Sequence, residues 1–141
     1  MAFRATVHIG RSMEDVWACL TNWKRAPEWM RGIEEMHAAD GPVGEGTRLV
    51  FRARGAERES TIVTWSPPRR LALRSRQGGM TATYEYTCEP EDGGTRLTLC
   101  ARCEARGVGW RLASPLIGFL MKRSDSGQVA ALKRLVESLP D

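Results

Sequence analysis

The chain has 141 residues, of which 42% are hydrophobic and 27% are charged, and its formal net charge is +4. This length predicts one domain over residues 1–141, large enough to bury a core. The longest apolar run covers residues 112–121. A membrane span needs about 20 such residues, so stable membrane insertion is not expected. The start of the chain meets Arg4 and has no long apolar stretch, which predicts a cytoplasmic protein without a secretory signal.

The basic residues are mostly arginines, 18 of the 21 Lys and Arg, and they are scattered along the chain among acidic residues. A nucleic-acid-binding surface needs its positive charges on one face, with aromatic side chains to stack on bases. We therefore expect no nucleic-acid partner.

Two of the four cysteines, Cys100 and Cys103, have the spacing of a zinc knuckle. No second pair accompanies them, and residues three apart in a strand point to opposite faces. The sequence predicts free thiols, no metal site and no cofactor.

The first third of the chain predicts a strand and two short helices. Residues 3–9 alternate between apolar and polar side chains, as in a half-buried strand. Ser12 has the chemistry of a helix N-cap, and Met13, Val16, Trp17 and Leu20 share one face of the helix that follows. A second short helical segment ends near Met30.

Residues 31–106 have the alternation and turn residues of a run of strands. In 47–54 we expect Phe51 on the inner face, and in 70–76 we expect Ser75 there. The facing of 56–66 stays open, because Ile62 and Val63 compete for the inner side.

The clearest hairpin joins residues 80–89 to residues 95–103. Met80, Ala82, Tyr84, Tyr86 and Cys88 share its inner face. Closing the loop with Pro90 opposite Thr95 places Tyr86 opposite Leu99. It also places Glu89 opposite Arg96, an opposite-charge pair.

The pattern of residues 108–139 predicts helical structure, with a break at Ser114 and Pro115. On a helical wheel, one face of this segment carries large apolar side chains at both ends and small or polar side chains in its middle. The face consists of Leu116, Ile117, Leu120, Ser124, Gly127, Gln128, Ala131, Leu135 and Leu139.

This order of elements resembles the START-like, or SRPBCC, superfamily, and several local motifs agree with it. They are VWACLTN at the first helix, APEWM at the second, SPPRRLAL, YEYTCEPEDGGTRLTL and ALKRLVE. Within the superfamily, the sequence most resembles the bacterial polyketide cyclase/dehydrase-like branch. The resemblance implies an α+β helix-grip fold. In it a seven-stranded antiparallel sheet curls around a long C-terminal helix, with two short helices after the first strand.

The resemblance also implies a cavity between sheet and helix. Small residues face each other across that space, which fits a hollow better than close backbone contact. The predicted ligand-binding residues are Phe51, Ser75, Met80, Tyr84, Tyr86, Met121, Ser124, Gln128 and Trp29. Two alternatives stay open: the polar members can be satisfied by backbone groups, and the tryptophans of the short helices can be core plugs.

Three functions follow. The favoured one is binding of a hydrophobic or aromatic small molecule. The second is a polyketide cyclase or dehydrase, with Tyr84 and Tyr86 as catalytic hydrogen-bond donors. The arginines of 48–54 and 70–76 are assigned to the outer face, which argues against it. The third is a protein-interaction module similar to co-chaperone relatives, which needs an exposed apolar patch. The sequence leaves homodimer formation open.

Overall fold

A computed structural model gives the structure of residues 2–30, 32–39, 41–53, 55–77, 79–105 and 127–140. Seven strands form one antiparallel sheet in the order β1-β7-β6-β5-β4-β3-β2. The strands are β1 Ala2–Ile9, β2 Ile33–Ala38, β3 Arg48–Ala53, β4 Ala56–Ser66, β5 Arg70–Gln77, β6 Met80–Glu91 and β7 Gly94–Ala105. Helix α1 spans Met13–Leu20, a 3₁₀ helix spans Trp23–Glu28, and residues 127–137, here called the C-terminal helix, are helical.

These elements confirm the helix-grip fold that the resemblance implied. Two short helices follow the first strand, the sheet is wholly antiparallel, and a helix closes the chain. The expected break at Ser114 and Pro115 lies outside the described residues. We call the side of the sheet that packs against α1 and the C-terminal helix the inner face.

Helix α1 begins where the sequence places its cap. The Ser12 hydroxyl accepts the backbone N–H of Asp15 at 3.2 Å, which satisfies one of the donors that a helix start leaves open. Val16, Cys19 and Leu20 are buried and attach the helix to the sheet.

The β6–β7 hairpin has the predicted register. Tyr86 lies opposite Leu99 and Glu89 lies opposite Arg96. The ion pair, however, is not the expected one, because the Arg96 guanidinium contacts Glu91 at 2.6 Å rather than Glu89. Long side chains reach a diagonal partner as readily as the residue directly opposite.

A bulge in β4 explains why the facing of that strand could not be assigned. Ile62 pairs with Leu73, but the next paired residue is Thr64, so Val63 is an extra residue. The insertion lets both Ile62 and Trp65 point inward, although three positions separate them. Ile62 is fully buried, and the Trp65 ring meets the Trp17 ring of α1 edge to face, with centroids 5.2 Å apart.

The buried face of the C-terminal helix differs from the predicted one. Leu132 and Val136, which the wheel left out, have no exposed surface, whereas Gly127 and Ala131 are half-buried. Burial follows the largest apolar side chains, because they remove the most surface from water. The small residues therefore lie on the flank of the buried face rather than at its centre.

Candidate functional site

The inner face of the sheet is sealed at one end and partly open at the other. Near the β4–β5 turn, the inward side chains of β5–β7 are almost completely buried, as Leu71, Leu97 and Leu99 are. Towards the opposite end, Met80, Ala101 and Cys103 are also buried, but several other inward side chains keep accessible surface. This set, here called the open end, consists of Phe51, Ala53, Arg58, Ser75, Ala82 and Tyr84.

The strand register brings members of the open end together. Ser75 pairs with Ala82, and Leu73, one step towards the sealed end, pairs with Tyr84. On the neighbouring strands Phe51 pairs directly with Arg58. Directly paired residues point to the same side of a sheet. An aromatic ring, a phenol and a guanidinium therefore share the inner face, and β5, with Leu73 and Ser75, lies between Tyr84 and the other two.

Arg58 is the functional candidate that the sequence did not provide. The odd-numbered neighbours Glu57 and Glu59 alternate to the outer face, where Glu59 lies 3.8 Å from Arg48. The spacing of Ile62 and Trp65 is the signal that could have revealed its facing. Simple alternation cannot put both on one face, so an inserted residue has to lie between them.

Four of the predicted ligand-binding residues are buried rather than open. Tyr86 and Trp29 are 2% exposed, and Met80 and Gln128 are 8% exposed. The Tyr86 hydroxyl donates a hydrogen bond to Gln128 Oε1 at 3.0 Å, which ties β6 to the C-terminal helix. The Trp29 ring stands edge-on to the Tyr86 ring, with centroids 5.8 Å apart.

These contacts bear on whether the tryptophans pack in the core and whether the polar residues are satisfied within the protein or contact a ligand. Trp23 and Trp29 belong to the buried core cluster, as a core plug would. The buried tyrosine and glutamine are paired with each other across two elements, rather than only with backbone. Their contact with a ligand stays a prediction, as does that of Phe51, Ser75 and Tyr84. The predicted Met121 and Ser124 lie outside the described residues.

Three of the four cysteines, Cys19, Cys88 and Cys103, are buried thiols. Burial raises the pKa of the Cys88 thiol to about 11, and it also raises the pKa values of Cys19 and Cys103. Thiols with raised pKa values are weak nucleophiles at neutral pH. All four cysteines are free, and within the described ranges no cluster of three His, Cys, Asp or Glu could hold a metal ion.

Neither histidine lies on the inner face. His8 is on the exposed side of β1, where its Nδ1 lies 3.0 Å from Glu91 Oε1. His37 borders a polar depression of about 50 Å³ on the outer face, together with Glu35, Arg52 and Glu57. Small-molecule pockets are typically about 300–1,000 Å³ and mostly apolar, so this depression is a poor ligand site.

The sequence matches a family model described as polyketide cyclase / dehydrase and lipid transport, over residues 1–137. The chain belongs to this family. No curated protein is similar enough in sequence to count as a relative.

Solved structures resemble this family member in fold. Zhui aromatase/cyclase from Streptomyces sp. R1128 superposes with a TM-score of 0.79 at 15% identity, over 97% of this chain and 93% of the other. The di-domain ARO/CYC BexL of the BE-7585A biosynthetic pathway gives 0.78 at 16% identity, over 99% of this chain and 51% of its own. TTHA0849 from Thermus thermophilus gives 0.74 at 19% identity, over 96% and 97%. Identities this low establish the common fold.

Among the described residues, none forms a helix with the length and apolar character that a membrane crossing requires.

Proposed function

We propose that this family member binds a hydrophobic or aromatic small molecule between the open end of the inner face and the C-terminal helix. The observation that carries the proposal is the partial exposure of inward-facing residues. Phe51, Ala82 and Tyr84 alternate onto the face that forms the core, yet they keep accessible surface. A tightly packed layer of sheet and helix would seal them, as it seals Leu71 and Leu99.

The chemistry of the open end suits such a ligand. Its surface is made of an aromatic ring, methyl groups and a few polar groups, which is the usual composition of a small-molecule site. Aromatic side chains supply most of the binding area at low entropic cost, and a phenol or hydroxyl fixes orientation. The family description and the aromatase/cyclase neighbours support a ligand-binding use of the fold.

The alternative is a cyclase or dehydrase reaction on a polyketide-like substrate, and one observation favours it. The sequence argued against it because the arginines of 48–54 and 70–76 were assigned to the outer face, but Arg58 of β4 faces inward. Tyr84 lies on the same face. A phenol with an ordinary pKa near 10 donates a hydrogen bond to a substrate carbonyl more readily than it removes a proton. Tyr86 is less suited to this role, because its hydroxyl already donates to Gln128.

The interaction-module hypothesis has less support. It requires a contiguous exposed apolar patch. Of the large hydrophobic side chains that the structure describes, Val43 is the one that is exposed.

A matched pair of substitutions on β6 tests the proposal. Ala82→Trp places a bulky ring on the inner face at the open end, whereas Thr83→Trp places the same ring on the outer face one residue away. We expect Ala82→Trp to abolish binding of the neutral dye Nile red, and Thr83→Trp to bind it as the wild type does. Circular dichroism confirms that both variants are folded. Equal dye binding by the two folded variants would contradict the location of the site.

A further inference from the structure

We infer, on the basis of the proposed function, that the bound molecule carries a carboxylate and that Arg58 binds it. Arg58 is the single charged side chain among the described inner-face positions of β3–β7. The other members of that face are apolar, aromatic or hydroxyl-bearing. We therefore expect the bound molecule to carry an opposite charge next to this lone cation.

The surroundings of Arg58 supply no such charge. In the described part of the chain no acidic side chain lies within ion-pair distance of it. Some arginines of the outer face do have carboxylate partners, as Arg70 has in Glu85 at 3.1 Å and Arg48 in Glu59. The acidic residues on either side of Arg58 in sequence point away from the inner face.

Partial burial makes this arrangement costly for the free protein. Removing a charge from water without a partner is unfavourable, and the cost is recovered when an opposite charge binds. A guanidinium offers two parallel N–H donors that match the two oxygens of a carboxylate. Arg58 is therefore better suited to a ligand carboxylate than to a purely apolar ligand.

The neighbours of Arg58 define the rest of the ligand. Phe51 lies directly opposite on β3, so the part of the ligand next to the carboxylate meets an aromatic ring. One cation fits one negative charge, which a carboxylate carries at neutral pH, whereas a phosphate monoester carries almost two. The ligand class is an aromatic or aliphatic carboxylic acid whose apolar body lies along the open end.

Three proteins and two probes of nearly equal shape test this inference. The probes are 2-naphthoate, which is charged, and 2-acetylnaphthalene, which is a neutral ketone. The proteins are the wild type, Arg58→Gln, and Arg52→Gln, which removes an exposed arginine from the outer face of the adjacent strand. Calorimetric titrations at neutral pH and low salt give the dissociation constants, and thermal melts confirm that each variant is folded.

We expect Arg58→Gln to weaken 2-naphthoate binding by about tenfold or more, the usual worth of a charge-assisted hydrogen bond. Binding of the ketone should change by less than about twofold, because it has no charge to lose. Arg52→Gln should change neither. Added salt should weaken the binding of the acid and not of the ketone.

The other outcomes overturn the inference in distinguishable ways. Unchanged binding of both probes to Arg58→Gln would leave the proposed binding function intact but remove Arg58 from it. Equal losses for the acid and the ketone would show that Arg58 polarises a carbonyl, as a cyclase would require. If neither probe binds the wild type, the proposed function fails together with this inference.

Discussion

The hydrogen bond between Tyr86 and Gln128 predicts the effect of removing one hydroxyl. Tyr86→Phe keeps the ring that packs against Trp29 but removes the donor to Gln128 Oε1. Both residues are more than nine-tenths buried, so water replaces the lost donor poorly. Removing one partner of a buried hydrogen bond costs about 1–3 kcal/mol. For a chain of this length that corresponds to a fall in Tm of roughly 3–5 °C per kcal/mol.

Removing both partners should cost less than the two single changes together. Gln128→Met keeps the volume of the side chain and replaces the amide with an apolar group. In the double variant both partners of this hydrogen bond are removed, so neither is left without the other, and we expect a coupling free energy of about 1 kcal/mol. Urea unfolding of the wild type, both single variants and the double variant measures it.

The same variants separate a structural Tyr86 from a ligand-binding one. If the hydroxyl holds β6 to the C-terminal helix, Tyr86→Phe lowers the free energy of unfolding and changes dye affinity little. A variant as stable as the wild type that has lost dye binding would refute this reasoning. It would place the hydroxyl in the ligand site.

Three further predictions concern the labelling of two cysteines and the effects of two substitutions. Cys100 is half-exposed and Cys103 is buried with a raised pKa, so a thiol reagent should label Cys100 rapidly and Cys103 slowly. Gly94→Ala should lower the free energy of unfolding by about 1–3 kcal/mol, because the added Cβ overlaps the backbone of β1. Glu137→Gln should lower stability at neutral pH but not in acid. The Gly10 N–H and the neighbouring lysine hold the pKa of that carboxyl below its ordinary 4.5, so its contribution is present above that value and is lost as the pH falls.

Each of these predictions has a control or a result that would contradict it. Gly44→Ala adds the same methyl group where the nearest atom is 4.0 Å away, so it should leave stability nearly unchanged. Equal labelling rates for Cys100 and Cys103 would contradict the strand facing. A stability difference between wild type and Glu137→Gln that persists at low pH would contradict the assigned role of the carboxylate.

Local signals predicted the parts of the fold that depend on neighbouring residues. The cap at Ser12 and the register of the β6–β7 hairpin follow from nearby side chains, and both are confirmed. The two-residue turn of that hairpin has positive φ at Asp92 and Gly93, a conformation that these residue types tolerate.

Features that depend on distant parts of the chain could not be predicted. The bulge at Val63 is set by pairing with β5, and without it simple alternation along the strand could not fix the inward position of Arg58. The contact between Tyr86 and Gln128 joins residues 42 positions apart. In the C-terminal helix the wheel favoured the small residues, whereas burial is decided by Leu132 and Val136 against the sheet.

The position of a bound molecule tests the central claim most directly. Nuclear Overhauser effects between 2-acetylnaphthalene at saturation and the side chains of the protein report which face it contacts. Neighbouring residues point to opposite faces, so Ala82 can be compared with Thr83, and Phe51 with Val50. We predict contacts to the Ala82 methyl group and the Phe51 ring. Contacts to the Thr83 and Val50 methyl groups instead, or none to the inner face, would contradict the claim that the open end binds the ligand.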